Sequence, residues 1–84
     1  MAEVVIYTTQ WCPYCIRAKA LLDQLDVSYE EIAVDGNATL RSKMMELSGR
    51  HTVPQIFIDG KSIGGCDDLM ALHSNGELTS LLGR

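Results

Sequence analysis

The sequence predicts an α/β fold, a central four-stranded mixed sheet flanked by three or four helices. A β-branched and aromatic run, Val4-Val5-Ile6-Tyr7, precedes apolar residues at helical spacing, Ala18, Leu21, Leu22 and Leu25. Asp59-Gly60 separates two short strand-like runs, as a hairpin requires. Gly and Asn residues then punctuate the chain at intervals suited to short helices.

Each element follows in order. A first strand over about Val4–Thr8 leads through Thr9, Gln10 and Trp11 into a helix that ends near Leu25 or Asp26. Val27, Tyr29, Ile32 and Val34 indicate a second strand, although Glu30-Glu31 breaks the alternation. A helix crossover makes these two strands parallel. Asp35-Gly36-Asn37 is a turn in which Asn37 can cap a second helix. Leu40, Met44 and Leu47 form that helix's buried stripe, Met44-Met45 fills core, and Gly49 ends the helix as a left-handed cap. Gln55–Ile58, the Asp59-Gly60 turn and Lys61–Ile63 form a hairpin of type I′. Gly64-Gly65-Cys66-Asp67-Asp68 opens a third helix through Leu69, Met70 and Leu72 that stops at Asn75-Gly76, giving the order βαβαββα, and a short helix around Leu78–Leu82 closes the chain.

The chain has 84 residues, 46% of them hydrophobic and 21% charged, which suits one small domain with a core and argues against disorder. A net charge of −4 without clustered Lys or Arg excludes a broad nucleic-acid surface. No long apolar run or basic leader is visible, so a cytoplasmic protein without membrane attachment is expected, and a monomer. Three cysteines, Cys12, Cys15 and Cys66, are too few and odd in number for a secreted disulfide framework. Structural zinc needs four ligands, and His51, His73 and Cys66 match no zinc spacing beside Cys12 and Cys15, so no metal site is expected.

Cys12-Pro13-Tyr14-Cys15 carries the chemistry. Pro13 suits the first helical position, where its fixed φ fits and its missing N–H would have no partner. Cys12 then meets unpaired backbone N–H groups and the positive end of the helix, which favour a thiolate. Cys15 lies about one turn further in. Cys12 is therefore the expected nucleophile and Cys15 the resolving thiol of disulfide exchange.

With Thr52-Val53-Pro54 before the third strand and Gly64-Gly65-Cys66-Asp67-Asp68 before the third helix, the chain resembles a dithiol glutaredoxin of thioredoxin-like fold over nearly its whole length. The resemblance implies a cis peptide at Pro54 that turns the chain back on the active site, and it implies glutathione as co-substrate, with no tightly bound cofactor. Peptide-like glutathione can pair with the main chain at Val53, and its γ-glutamyl carboxylate can meet the N–H groups and side chain at Cys66, Asp67 and Asp68 at the helix start. By similarity Asp67 is a ligand and Asp68 structural. The implied binding set is Tyr14, Arg41, Thr52, Val53, Pro54, Gly65, Cys66 and Asp67. Relatives also place a lysine shortly before the first cysteine; Thr9 stands there, which removes a charge from both thiolate and substrate carboxylate, and Arg17 and Lys19 either compensate or are simply solvated. Trp11 is either a platform facing substrate or a lid on the core. His51 and His73 are read as surface residues. Cys66, a third thiol near the γ-glutamyl site, needs only its small size to explain its place.

The expected function is glutathione-dependent reduction of protein disulfides and glutathione mixed disulfides, with ribonucleotide reductase, other reductases or glutathionylated proteins as candidate partners. Two alternatives share the motif. One is a glutaredoxin-like electron donor served by thioredoxin reductase, which Arg41 and Gly65-Cys66-Asp67 argue against. The other is a [2Fe–2S] cluster carrier using Cys12 of two chains with two glutathiones, against which Pro13 counts.

Overall fold

The computed structural model describes residues 2–84. Its elements are β1 (Val4–Thr8), α1 (Pro13–Gln24), β2 (Glu30–Ala33), α2 (Ala38–Ser48), β3 (Gln55–Ile58), β4 (Lys61–Gly64), α3 (Cys66–Ser74) and α4 (Glu77–Leu81). The sheet runs β2-β1-β3-β4. β1 pairs with β2 in parallel and with β3 antiparallel, and β3 pairs antiparallel with β4, giving the expected mixed sheet.

The two faces of the sheet are unequal. Val4, Ile6, Ile56 and Ile58 pack against Ala18, Leu21 and Leu22 of α1, Leu69 of α3 and Leu78 of α4. The opposite face holds Tyr7, Val34, Met44 and Phe57, with the Tyr7 and Phe57 rings edge to face at 5.6 Å. That second layer is so small that α2 fills it with Met44 and a partly buried Leu40. Met44 is the only fully buried residue of α2; the expected stripe holds at Leu40 and Met44 and fails at Leu47, which faces solvent, as does Met45, expected to fill core. The break at Glu30-Glu31 also resolves: β2 is an edge strand, Val27 is buried in the segment ahead of it, and Val34 extends the pairing by donating its N–H to Thr8 O at 2.9 Å.

Local signals explain the ends. Asn37 Oδ1 accepts the Leu40 N–H at 3.0 Å, and Gly49 ends α2 at φ 72°, the left-handed cap read from sequence. Asp59 and Gly60, at φ 52° and 79°, make the tight β3–β4 turn that needs two positive φ values.

Register then places the site. Tyr7 lies opposite Gln55 and Gly64 opposite Ile56, so the end of β1, the start of β3 and the end of β4 share one side of the sheet. Cys12, Pro54 and the start of α3 follow from those three strand ends.

Candidate active site

Cys12 is the N-cap of α1, with φ −105° and ψ 109°, and Pro13 follows it in the first turn. Its Sγ accepts the Cys15 N–H at 3.1 Å, doing with sulfur what a Ser or Asp oxygen does at other helix starts. The Cys12 thiol also points to Val53 O, 3.7 Å away. The sulfur thus lies between the positive end of a helix and the residue before Pro54, whose peptide bond is cis. Cys12 retains 8% exposure and Cys15 none. Burial, then the hydrogen bond with Cys12, pushes the Cys15 thiol up to about 12, while the Thr9 backbone and the Lys19 charge pull the other way. One sulfur reaches solvent and the other is held in reserve.

The start of α3 is built around Asp68. Its Oδ2 accepts the Gly65 N–H at 2.9 Å, reaching back to the N-cap from the third helical position, and takes Arg50 Nη1 at 2.8 Å. Those two contacts hold the Asp68 carboxyl below its ordinary range. Its contribution to stability is complete above that ordinary range and is lost as pH falls through the lowered value. Asp68→Asn is therefore expected to flatten the acid limb of a melting-temperature profile. The change is small because the pair is about half exposed. An unaltered acid limb would show that neither contact forms in solution.

Beside the start of α3 lies a cleft of about 360 Å³ lined by Tyr14, Arg50, Thr52, Val53, Pro54, Gly65, Cys66, Asp67 and Asp68; Cys12 is not itself in the lining but faces Val53, which is. It brings together Tyr14, Thr52, Val53, Pro54, Gly65, Cys66 and Asp67 of the residues named from sequence. Arg41 is not among the lining residues. Its Nη1 donates to His51 O at 3.2 Å, and its side chain borders a separate hollow with Val34, Gly36, Asn37 and Ala38. The cation on the cleft wall is Arg50, which sequence reading passed over. Its backbone is fixed by the left-handed turn at Gly49 and by an N–H bond to Ser48 Oγ at 3.1 Å, and a Ser-Gly-Arg helix end was the available signal. Gln55 was also missed: fully buried, it donates Nε2 to Thr52 O at 3.0 Å and so anchors the segment before Pro54.

The remaining candidates divide clearly. Trp11 is 85% exposed, which removes the core-lid alternative. His51 and His73 are exposed, as read from sequence. Arg17 stacks its guanidinium 5.8 Å from the Tyr14 ring centre, and Lys19 pairs with Glu31. Cys66 is buried as the first residue of α3, and burial pushes its thiol up, partly offset by Arg17. No cluster of three or more metal-ligating side chains occurs among the described residues. No described helix is long and apolar enough to cross a membrane.

Comparison with known proteins agrees with this architecture. A glutaredoxin family profile matches residues 4–63. The chain is 60% identical to Glutaredoxin 3 of Escherichia coli strain K12 over 82 residues, covering 98% of this chain and 99% of that one. It is 55% identical to a glutaredoxin of Pseudomonas aeruginosa, covering 98% of each. Among solved structures, a buckwheat glutaredoxin–glutathione complex superposes with a TM-score of 0.89 at 36% identity, over 98% of this chain and 77% of that one. The holo form of glutaredoxin C1 from Populus tremula x tremuloides gives 0.89 at 40% identity, over 96% and 83%. A thiol pair at a helix start, on a thioredoxin-like sheet and in a sequence matched along nearly its whole length, makes this chain a member of the glutaredoxin family of thiol–disulfide oxidoreductases.

Proposed function

We propose that this glutaredoxin depends on glutathione, with Cys12 as nucleophile, Cys15 as resolving thiol and the cleft beside them as the glutathione site. The observation that carries the reading is the pair of contacts at Cys12 Sγ: it takes a helix-start N–H at 3.1 Å and faces Val53 at the mouth of the cleft. Cys12 attacks a substrate disulfide, one thiolate leaves, and a mixed disulfide forms on Cys12. With a protein substrate, Cys15 attacks Cys12 Sγ, releases the second protein thiolate and leaves a Cys12–Cys15 disulfide that two glutathiones reduce. With a glutathionylated substrate, a second glutathione attacks the Cys12 adduct directly.

The cleft's chemistry suits a peptide-like anion that carries two carboxylates and an ammonium. Val53 offers main-chain pairing to an extended tripeptide. The N–H groups at the start of α3 can receive one carboxylate, exposed Asp67 can accept an ammonium, and Arg50 adds the cation that Arg41 does not bring to the cleft wall. The structural likeness to a glutaredoxin solved with glutathione supports the same ligand here. Disulfide-containing and glutathionylated proteins of a reducing cytoplasm are the corresponding partners.

Placing a glutathione adduct on Cys12 of the Cys15→Ser variant tests the site. The amide NMR signals of Val53, Gly65, Cys66 and Asp67 are expected to shift, and shifts confined to other segments would overturn the assignment. Arg50→Gln is expected to raise KM for a glutathionylated substrate about 3- to 10-fold, since a charge-assisted contact contributes about 1.5–3 kcal/mol when buried and less on a half-exposed side chain. An unchanged KM would remove Arg50 from the site.

A further inference from the structure

The reading above leaves one step unassisted: Cys15 must give up a proton from a site with no solvent exposure, where burial holds its thiol high. Lys19 follows Cys15 by four residues on α1, so the two project from the same face of the helix, with Cβ atoms about 5–6 Å apart. Lys19 is partly buried and fixed in place: its Nζ bonds Glu31 Oε2 at 2.9 Å, and the same oxygen accepts the buried Thr8 hydroxyl at 2.7 Å. Glu31 is therefore tied to the last residue of β1, next to Thr9, whose backbone faces the Cys15 sulfur. We infer that Lys19 is a positioning residue for the resolving step, its charge stabilising the Cys15 thiolate, and that Glu31 restrains it by partly neutralising that charge.

The groups acting on Cys15 are few. Cys12 opposes its ionisation through a hydrogen bond and through charge, and the Thr9 backbone and Lys19 favour it. Glu31 comes from β2 and acts through Lys19, whose own ionised form it stabilises. In the step itself, Cys15 loses one proton, matched by the proton that the departing thiolate gains, and its thiolate attacks Cys12 Sγ. The Cys15–Cys12 bond forms, the bond from Cys12 to the substrate sulfur breaks, and the departing thiolate takes a proton from water. The protein dithiol is oxidised and the substrate disulfide is reduced.

This inference rests on the assignment of Cys15 as resolving thiol, and one experiment separates the two. Reaction with an aromatic disulfide that releases a coloured thiolate gives two phases in stopped flow, attack by Cys12 and then attack by Cys15. Cys15→Ser must lose the second phase; if it does not, the assignment itself fails. Lys19→Met is expected to slow the second phase and Glu31→Gln to speed it, each about threefold. That factor follows because a pKa change of about one unit alters the thiolate fraction tenfold, while nucleophilicity offsets about half of it on a logarithmic scale. Lys19→Arg should restore the wild-type rate. The first phase, unchanged in amplitude, reports that each variant is folded. A merely structural ion pair gives the same sign for loss of either partner, so effects of like sign, or none on the second phase in either variant, would overturn the inference.

Discussion

Cys12→Ser is expected to abolish disulfide exchange, with a loss on the order of 10⁴-fold or more, the scale seen when an enzyme loses its nucleophile. Cys15→Ser is expected to retain glutathione-driven reduction of glutathionylated substrates and to lose intramolecular release of protein disulfides. The asymmetry follows from the geometry. Cys12 keeps 8% exposure and faces Val53, a residue of the cleft wall, whereas Cys15 has none and supplies its N–H to the neighbouring sulfur. A glutathione-coupled assay with both substrate classes measures the difference. Equal losses in the two variants on the glutathionylated substrate, or activity surviving in Cys12→Ser, would reverse the assignment.

Gly64→Ala is expected to be the most destabilising small change in the site. Gly64 sits at φ +114°, and an added Cβ would lie 2.7 Å from Asp68 Cγ. Asp68 cannot swing aside without releasing both the Gly65 N–H and Arg50. Backbone strain of about 1–3 kcal/mol and loss of a helix cap of about 1 kcal/mol together imply a melting temperature lower by roughly 10–20 °C in a domain of this size. Gly36→Ala is the control, because Gly36 has a positive φ of +62° and open space around it. A drop no larger than that of Gly36→Ala would mean that the contact with Asp68 is not what constrains Gly64.

What the sequence made legible was whatever neighbouring residues decide among themselves. The Asp59-Gly60 hairpin, the Asn37 and Gly49 caps and the placing of Cys12 at a helix start all depend on conformational preferences over a few positions, and the structure reproduces them. Most of the cleft's lining was legible too, because Thr52-Val53-Pro54 and Gly65-Cys66-Asp67 flank strand ends that the topology brings together. Its cation was not. Arg41 and Arg50 are both near Thr52 in sequence, and the left-handed turn at Gly49 directs Arg50 to the cleft while Arg41 bonds the His51 carbonyl. Periodicity likewise could not reveal that the second sheet face takes Met44 and Leu40 from α2 but not Leu47, since the depth of that layer is set by Tyr7, Val34 and Phe57 from elsewhere in the chain.

The order β2-β1-β3-β4 leaves a row of backbone donors and acceptors unpaired along the outer sides of β2 and β4. Such margins are where one molecule can stack onto another to seed fibres. β2 carries Glu30 and Glu31 on its four residues, and β4 opens with Lys61. Like charges brought face to face at either margin repel, so these side chains discourage self-templating. A redox protein that lost the Glu30 carboxylate would be expected to keep its thiol chemistry in dilute solution and to pass into insoluble aggregates as its concentration rose.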